Sequence, residues 1–208
     1  TAKLIHVDQV RPAANWVVTL PGEGPRDLQW IGRDRVLASL SCGFGEYELT
    51  TGKQLRKVSG FKDIVTARRL DNGHTLLACA EPNVILVHEV DAEGRPCAEP
   101  RRIPCAGRPL RQMRVLSQGN LLLHVAADTV GEVDPAGKTV WTLRLPADIP
   151  GTKGTLAERL QDGSTFVGLG NGHRVSQYDA QWHLLHSWGE PHRGDHPEWK
   201  LDYISGFD

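Results

Sequence analysis

An excess of charge of either sign is missing from this chain. Its 208 residues carry 24 lysines and arginines against 25 aspartates and glutamates, a net charge of −1. A balanced chain has no electrostatic footprint for nucleic acid or an anionic membrane, so neither partner is expected. Also missing is an apolar run near the roughly 18 residues that a membrane-spanning helix needs, so no transmembrane segment is expected. Helical periodicity is nowhere sustained. The nearest candidate, 155–161, falls into the register of a strand. Cysteine is scarce: Cys42, Cys79, Cys97 and Cys105, with no C-x-x-C pair, which argues against a zinc knuckle or a thioredoxin motif. Cys97 and Cys105 flank a short segment and are placed either to staple it or to stand as free thiols. Cys79 lies in an apolar run and reads as core. There is no Gly-x-Ser-x-Gly, no phosphate loop and no His-Glu-x-x-His, so the common nucleophile, nucleotide and zinc-hydrolase motifs are absent.

What is present is a repeat. Turns built around Gly32, Gly73, Gly119 and Gly163 stand 41, 46 and 44 residues apart, each followed by a short apolar run. A second marker keeps nearly the same period: Tyr47-Glu48-Leu49, Glu89-Val90-Asp91, Glu132-Val133-Asp134 and Gln177-Tyr178-Asp179. In the first three a glycine follows, at Gly52, Gly94 and Gly137. An N-terminal His6-Val7-Asp8 fits the same register. Each unit holds four runs of strand length separated by glycine, proline, asparagine or aspartate turns. A four-stranded unit of roughly 40–50 residues is a propeller blade, and one blade cannot bury both faces alone.

The fold expected is therefore all-β: one β-propeller domain over 1–208, made of four-stranded antiparallel blades, with about five blades present. The blades fall at about 26–58, 64–104, 110–145 and 155–188. A partial blade at 1–20 precedes them, and 203–208 reads as the start of a further blade. Two closures follow, a five-bladed ring with an imperfect closing blade or a truncated six- or seven-bladed ring. The tail stopping in mid-pattern favours the second.

The stretch Asp134-Pro135-Ala136-Gly137-Lys138-Thr139-Val140-Trp141 resembles the repeat of bacterial quinoprotein-like (PQQ-repeat-like, WD-repeat-like) propellers of uncharacterised function. Leu70-Asp71-Asn72-Gly73-His74 looks like the matching inner hairpin. The resemblance implies a bacterial propeller, exported to the periplasm or secreted. In quinoproteins the tryptophan docks between blades. Here Trp141 keeps that place, Trp16 and Trp188 are near equivalents, and Arg56 and Cys97 stand nearby in other units. The vicinal cysteine pair of many quinone-dependent dehydrogenases is absent, so no quinone and no other cofactor is expected.

Propellers bind ligands at the mouth of the central channel. The loops assigned there by register are 41–45, 80–83, 126–129 and 169–174, with interblade loops 21–27, 96–111, 146–154 and 189–202. Polar groups on them include Asp27 and Lys153. The candidate ligand-binding set is Arg26, Glu81, Asn83, Arg111, Asp128, Asn171, His173 and Arg174. No metal site is expected, the weak candidates being His192, Asp195 and His196 in a proline-containing connector. His124 stands out because the matching positions hold Ala38, Ala78 and Gly168. It is either a core histidine with a partner or a channel-facing acid or base. The function expected is a binding scaffold without catalysis, for a protein or carbohydrate-like ligand. The alternative is a propeller enzyme of the hydrolase, lyase or sulfate-transfer type, with its site at the channel mouth.

Overall fold

The computed structural model describes residues 2–7, 10–20, 26–145, 156–169 and 174–189. Among them there is no α-helix, only three-residue 3-10 turns at Pro12–Ala14 and Ser117–Gly119. The expected blade start at 203–208 lies outside the described residues.

A hairpin of β1 (Ala2–His6) and β2 (Trp16–Leu20) comes first. Four sheets follow. The first holds β3 (Leu28–Trp30), β4 (Arg35–Leu40), β5 (Gly43–Glu48) and β6 (Gln54–Ser59). The second holds β7 (Thr66–Arg69), β8 (Thr75–Glu81), β9 (Val84–Val90) and β10 (Arg101–Pro104). The third holds β11 (Met113–Val115), β12 (Leu121–Ala126), β13 (Thr129–Val133) and β14 (Thr139–Arg144). The fourth holds β15 (Leu156–Arg159), β16 (Thr165–Leu169), β17 (Arg174–Tyr178) and β18 (Leu184–Gly189). In each sheet the strands pair in chain order. The expectation of about five blades is corrected: among the described residues there are four complete blades, and β1–β2 is a two-stranded sheet. Contacts divide the chain into two compact units, 1–80 with 86–101 and 81–85 with 102–208.

Turn chemistry explains the meander. The first two strands of each sheet are joined by a five-residue turn closed by a backbone bond at its base: Ile31 to Arg35, Leu70 to His74, Leu116 to Asn120 and Leu160 to Ser164, at 2.8–2.9 Å. Gly73, Gly119 and Gly163 take the fourth place. In the first sheet that place belongs to Asp34, and Gly32 sits two residues earlier. The glycine marker was therefore out of step by two in that unit. The shift also changes the counterpart of His124, which is Ser39 rather than Ala38; Ala78 and Gly168 keep their places.

The outer hairpins of the second, third and fourth sheets turn on an aspartate. Asp91 Oδ1 accepts the N–H of Glu93 and Arg95 at 2.9 and 2.8 Å, and Asp179 Oδ1 accepts those of Gln181 and His183 at 2.8 and 2.9 Å. Asp134 Oδ1 takes Lys138 N–H at 2.9 Å. The bonds from Arg95 and His183 hold the Asp91 and Asp179 carboxyls below the usual carboxylate range. The last turn residue is left-handed: Gly52, Gly94 and Gly137 have φ of 70°, 88° and 86°. In the fourth sheet Trp182 occupies this place with φ of 69°.

Three of these turns lie against the outermost strand of the preceding sheet. In the first unit, a Cβ on Gly52 would meet Val18 and Trp16 of β2 at 2.6 and 2.8 Å, and one on Gly94 would meet Val58 of β6 at 2.7 Å. The Trp16 indole N–H donates to Leu49 O beside the first of these contacts. β2 thus serves the first sheet as β6 serves the second, which is the role of the outer edge of a blade. In the second unit Trp182 stacks on Trp141 of β14, with ring centroids 3.7 Å apart and planes 17° from parallel.

A left-handed tryptophan is strained by about 1–2 kcal/mol, and the indole stack offsets this. Trp182→Gly should cost about 2 kcal/mol, since it loses the stack and relieves the strain. Trp182→Ala should be about 1 kcal/mol worse still, because it loses the stack and keeps the strain. Urea unfolding of both variants checks this order; an alanine variant as stable as the glycine variant contradicts it.

Candidate functional site

Aligning the sheets on their turn bonds brings one third-strand position into view. It holds Glu46, Glu89 and Glu132 in the first three sheets and Gln177 in the fourth. Glu46 and Glu132 each face an arginine from the first strand of the next sheet. Arg69 Nη2 donates to Glu46 Oε1 at 2.5 Å, with Arg56 Nη1 at 3.5 Å. Arg159 Nη2 lies 3.8 Å from Glu132 Oε2. Both arginines are braced from behind by a threonine, Arg69 by Thr75 at 2.8 Å and Arg159 by Thr165 at 2.6 Å. Each also covers an aromatic ring, Phe44 at 5.8 Å and Trp182 at 4.9 Å. Bracing leaves the guanidinium little freedom, so this polar group is preorganised.

The glutamate is approached from its own sheet as well. Asn120 Nδ2 donates to Glu132 Oε1 at 2.7 Å, and Gln177 Nε2 donates to Ser164 Oγ at 3.2 Å. In the second sheet the partner is His74, whose Nδ1 lies 2.7 Å from Glu89 Oε1. Cys97 Sγ is 3.8 Å from the same nitrogen. Desolvation first, then the Glu89 and Asp91 carboxylates, push the Cys97 thiol upward. None of the four cysteines forms a disulfide, so Cys97 and Cys105 do not form the staple that is one of the two sequence readings.

Between the third and fourth sheets this polar group opens into a cleft of about 550 Å³. Asn120, Glu132, Arg159 and Gln161 line it with Leu116, Leu160, Val115, Ser117 and Gln118. Gln118 is left-handed, with φ of 71°. The cleft lies at the sheet ends that carry the turns between first and second strands. Among the described residues, the loops singled out in the sequence lie at the opposite ends.

The described candidates there differ in burial and in bonding. Arg26 and Arg111 are exposed, as is Glu81 at the end of β8. Arg26 N–H donates to Ser39 Oγ at 3.2 Å. Asn83 is left-handed, with φ of 63°, and it clamps a loop: its N–H reaches Gly107 O at 2.9 Å and its Oδ1 takes Gly107 N–H at 3.0 Å. Asp128 accepts from Thr129 and Arg144, both at 3.0 Å; the side-chain bond from Arg144 leads in holding its carboxyl below the usual range. Arg174 is buried at the start of β17, and its Nε meets no partner. Asn171 and His173 lie outside the described residues, as do Lys153, His192, Asp195 and His196.

Asp27, a loop residue as the sequence reading has it, is buried. Its carboxylate takes Arg68 Nη2 at 2.7 Å and the Thr66 hydroxyl, so β7 is tied to the chain entering β3. Ser39 Oγ accepts Asp27 N–H at 2.9 Å and donates to Val65 O at 3.1 Å. In the second unit, Arg114 occupies the place of Arg68 and reaches Glu158. His124 occupies the place of Ser39 and is wholly buried. Neither of its ring nitrogens makes a well-formed hydrogen bond. Burial pulls its pKa down to about 4, outweighing the opposing pull of the nearby backbone at Leu156 and Ala126.

Comparison with solved structures shows the fold to be a β-propeller. A protein of unknown function from Bacteroides caccae superposes with a TM-score of 0.65 at 20% identity, covering 84% of this chain and 64% of that one. The WD40 β-propeller domain of Doa1 gives a TM-score of 0.56 at 8% identity, covering 82% and 56%. The computationally designed Ika8 protein gives 0.50 at 14% identity, covering 77% and 48%. The chain thus spans less than two thirds of each of these structures. No family model matches the sequence, and no curated protein does.

The buried imidazole sets a pH dependence. An unfolded chain protonates His124 near 6.5 and the folded chain near 4, so the unfolded state binds more protons between those values. Stability must therefore fall as pH drops through that window. Urea unfolding at pH 7 and pH 4 should show wild type losing about 3 kcal/mol relative to His124→Ala, the residue that the second sheet carries at Ala78. Parallel pH profiles would remove His124 from the account.

Proposed function

We propose that this β-propeller is a non-catalytic binding scaffold that takes a hydroxyl-rich, carbohydrate-like ligand in the cleft between its third and fourth sheets. The observation that carries the reading is the prearranged set of Asn120, Glu132 and Arg159 lining a cavity of about 550 Å³. That volume is within the range of small-ligand sites. A carboxylate, an amide and a guanidinium together offer acceptors and donors to vicinal hydroxyls, and their charges largely cancel, so a neutral polar ligand suits them better than an ion. The Trp141–Trp182 stack beneath Arg159 keeps the guanidinium from folding away. With this reading goes a single propeller domain over 1–208, of the quinoprotein-like repeat class and bacterial in origin, working without a quinone.

Titration calorimetry against a panel of neutral oligosaccharides tests the proposal. One or more members should bind. Asn120→Ala and Glu132→Gln should each weaken that binding about tenfold, since each removes hydrogen bonds worth about 1–2 kcal/mol. The unfolding midpoint should move little. A panel without a binder, or binding indifferent to both substitutions, argues against this cleft.

A further inference from the structure

The second sheet breaks the pattern of its neighbours in a way that the binding cleft does not explain. Where Glu46 meets arginines and Glu132 meets Asn120 and Arg159, Glu89 meets an imidazole and stands beside a thiol. The side chains of His74, Glu89 and Cys97 each offer one donor atom, and all three atoms lie within 4.8 Å of one another. We infer that His74, Glu89 and Cys97 form a binding site for a divalent transition metal of the zinc class.

Donor chemistry selects the metal. One imidazole nitrogen, one carboxylate oxygen and one sulfur suit a borderline-soft ion such as Zn²⁺, and they suit the hard ions Mg²⁺ and Ca²⁺ poorly. Three protein ligands leave a fourth tetrahedral position for water or an added ligand. The distances need little change. Tetrahedral coordination places nitrogen and sulfur roughly 3.6 Å apart, and here they are 3.8 Å apart. Nitrogen and oxygen must open from 2.7 Å to roughly 3.4 Å. The half-exposed Glu89 side chain has room to make that rotation.

The backbone already fixes all three ligands. His74 is held at the base of its turn, its N–H on Asn72 Oδ1 at 2.9 Å and its C=O on Leu70 N–H at 2.8 Å. Glu89 lies within β9, and Cys97 N–H donates to Glu89 O at 2.9 Å. Two of the ligands are thus directly bonded neighbours across an antiparallel pair. A site held by one strand and the backbone of two adjoining turns exists before the metal arrives, so binding does not wait on folding.

The test uses the full chain, kept reduced, stripped with a chelator and titrated with Zn²⁺ against a chromophoric competitor. One equivalent should bind. Cys97→Ser should lower the affinity at least tenfold, and in the Co²⁺-loaded protein it should abolish the thiolate-to-cobalt charge-transfer band. His74→Asn copies the Asn120–Glu132 pair of the third sheet, so it should lower the affinity at least tenfold and leave the unfolding midpoint in chelator unchanged. Cys105→Ser should change nothing. Absence of stoichiometric binding by the wild type overturns the inference. So does binding that survives both the Cys97 and His74 substitutions, which would assign the metal to other ligands.

Discussion

An antiparallel sheet of four strands has two faces, and it can bury both only between neighbours. The rest of this structure follows from that constraint. In β4 every residue from Val36 to Leu40 is buried, and in β8 the same holds from Thr75 to Cys79. A sheet with one wet face would alternate apolar and polar residues; these strands read as continuous runs. Polar groups that enter such a seam need partners. Asp27, Thr66 and Arg68 satisfy one another, and Ser39 closes the set through the backbone of Asp27 and Val65. Truncating either charge would strand the other, a loss of about 3–5 kcal/mol by comparison with buried pairs elsewhere.

Much of this was legible in the sequence because turns are local. The Asp-x-x-Gly hairpins needed only an Asx oxygen to hold the loop and a glycine for the left-handed step. That chemistry is written within five residues at Asp91–Arg95 and Asp134–Lys138. What misled was also local. Gly32 looked like Gly73 and Gly119, but the closing bond runs from Ile31 to Arg35 and puts Asp34 in the equivalent place. The error carried through to His124, whose true counterpart is the hydrogen-bonding Ser39. A polar partner position was thus taken for a small-residue one.

The candidate site was less legible because its members come from different repeats. Glu132 and Arg159 are far apart in sequence and meet only when two sheets pack. A signal was nonetheless present. The recurring Glu-Val-Asp marker contained Glu89 and Glu132 from the start, used there to measure the period. A recurrent half-buried glutamate needs a polar partner, and Arg69, Arg159 and, by exception, His74 are those partners. Arg174, singled out from the loops, is buried with its Nε unpaired, a fact that no spacing rule anticipates.

The stacked indoles of Trp141 and Trp182 have an optical consequence. At 3.7 Å and nearly parallel, their excited states couple, so the pair absorbs and emits differently from a lone tryptophan. The two rings belong to successive sheets, and the coupling vanishes once those sheets part, even if each keeps its own strands. The component of the aromatic dichroism that comes from Trp141 and Trp182 therefore reports the opening of this one seam, whereas the backbone bands follow the strands themselves. The protein carries a built-in spectroscopic gauge of how its repeats come apart.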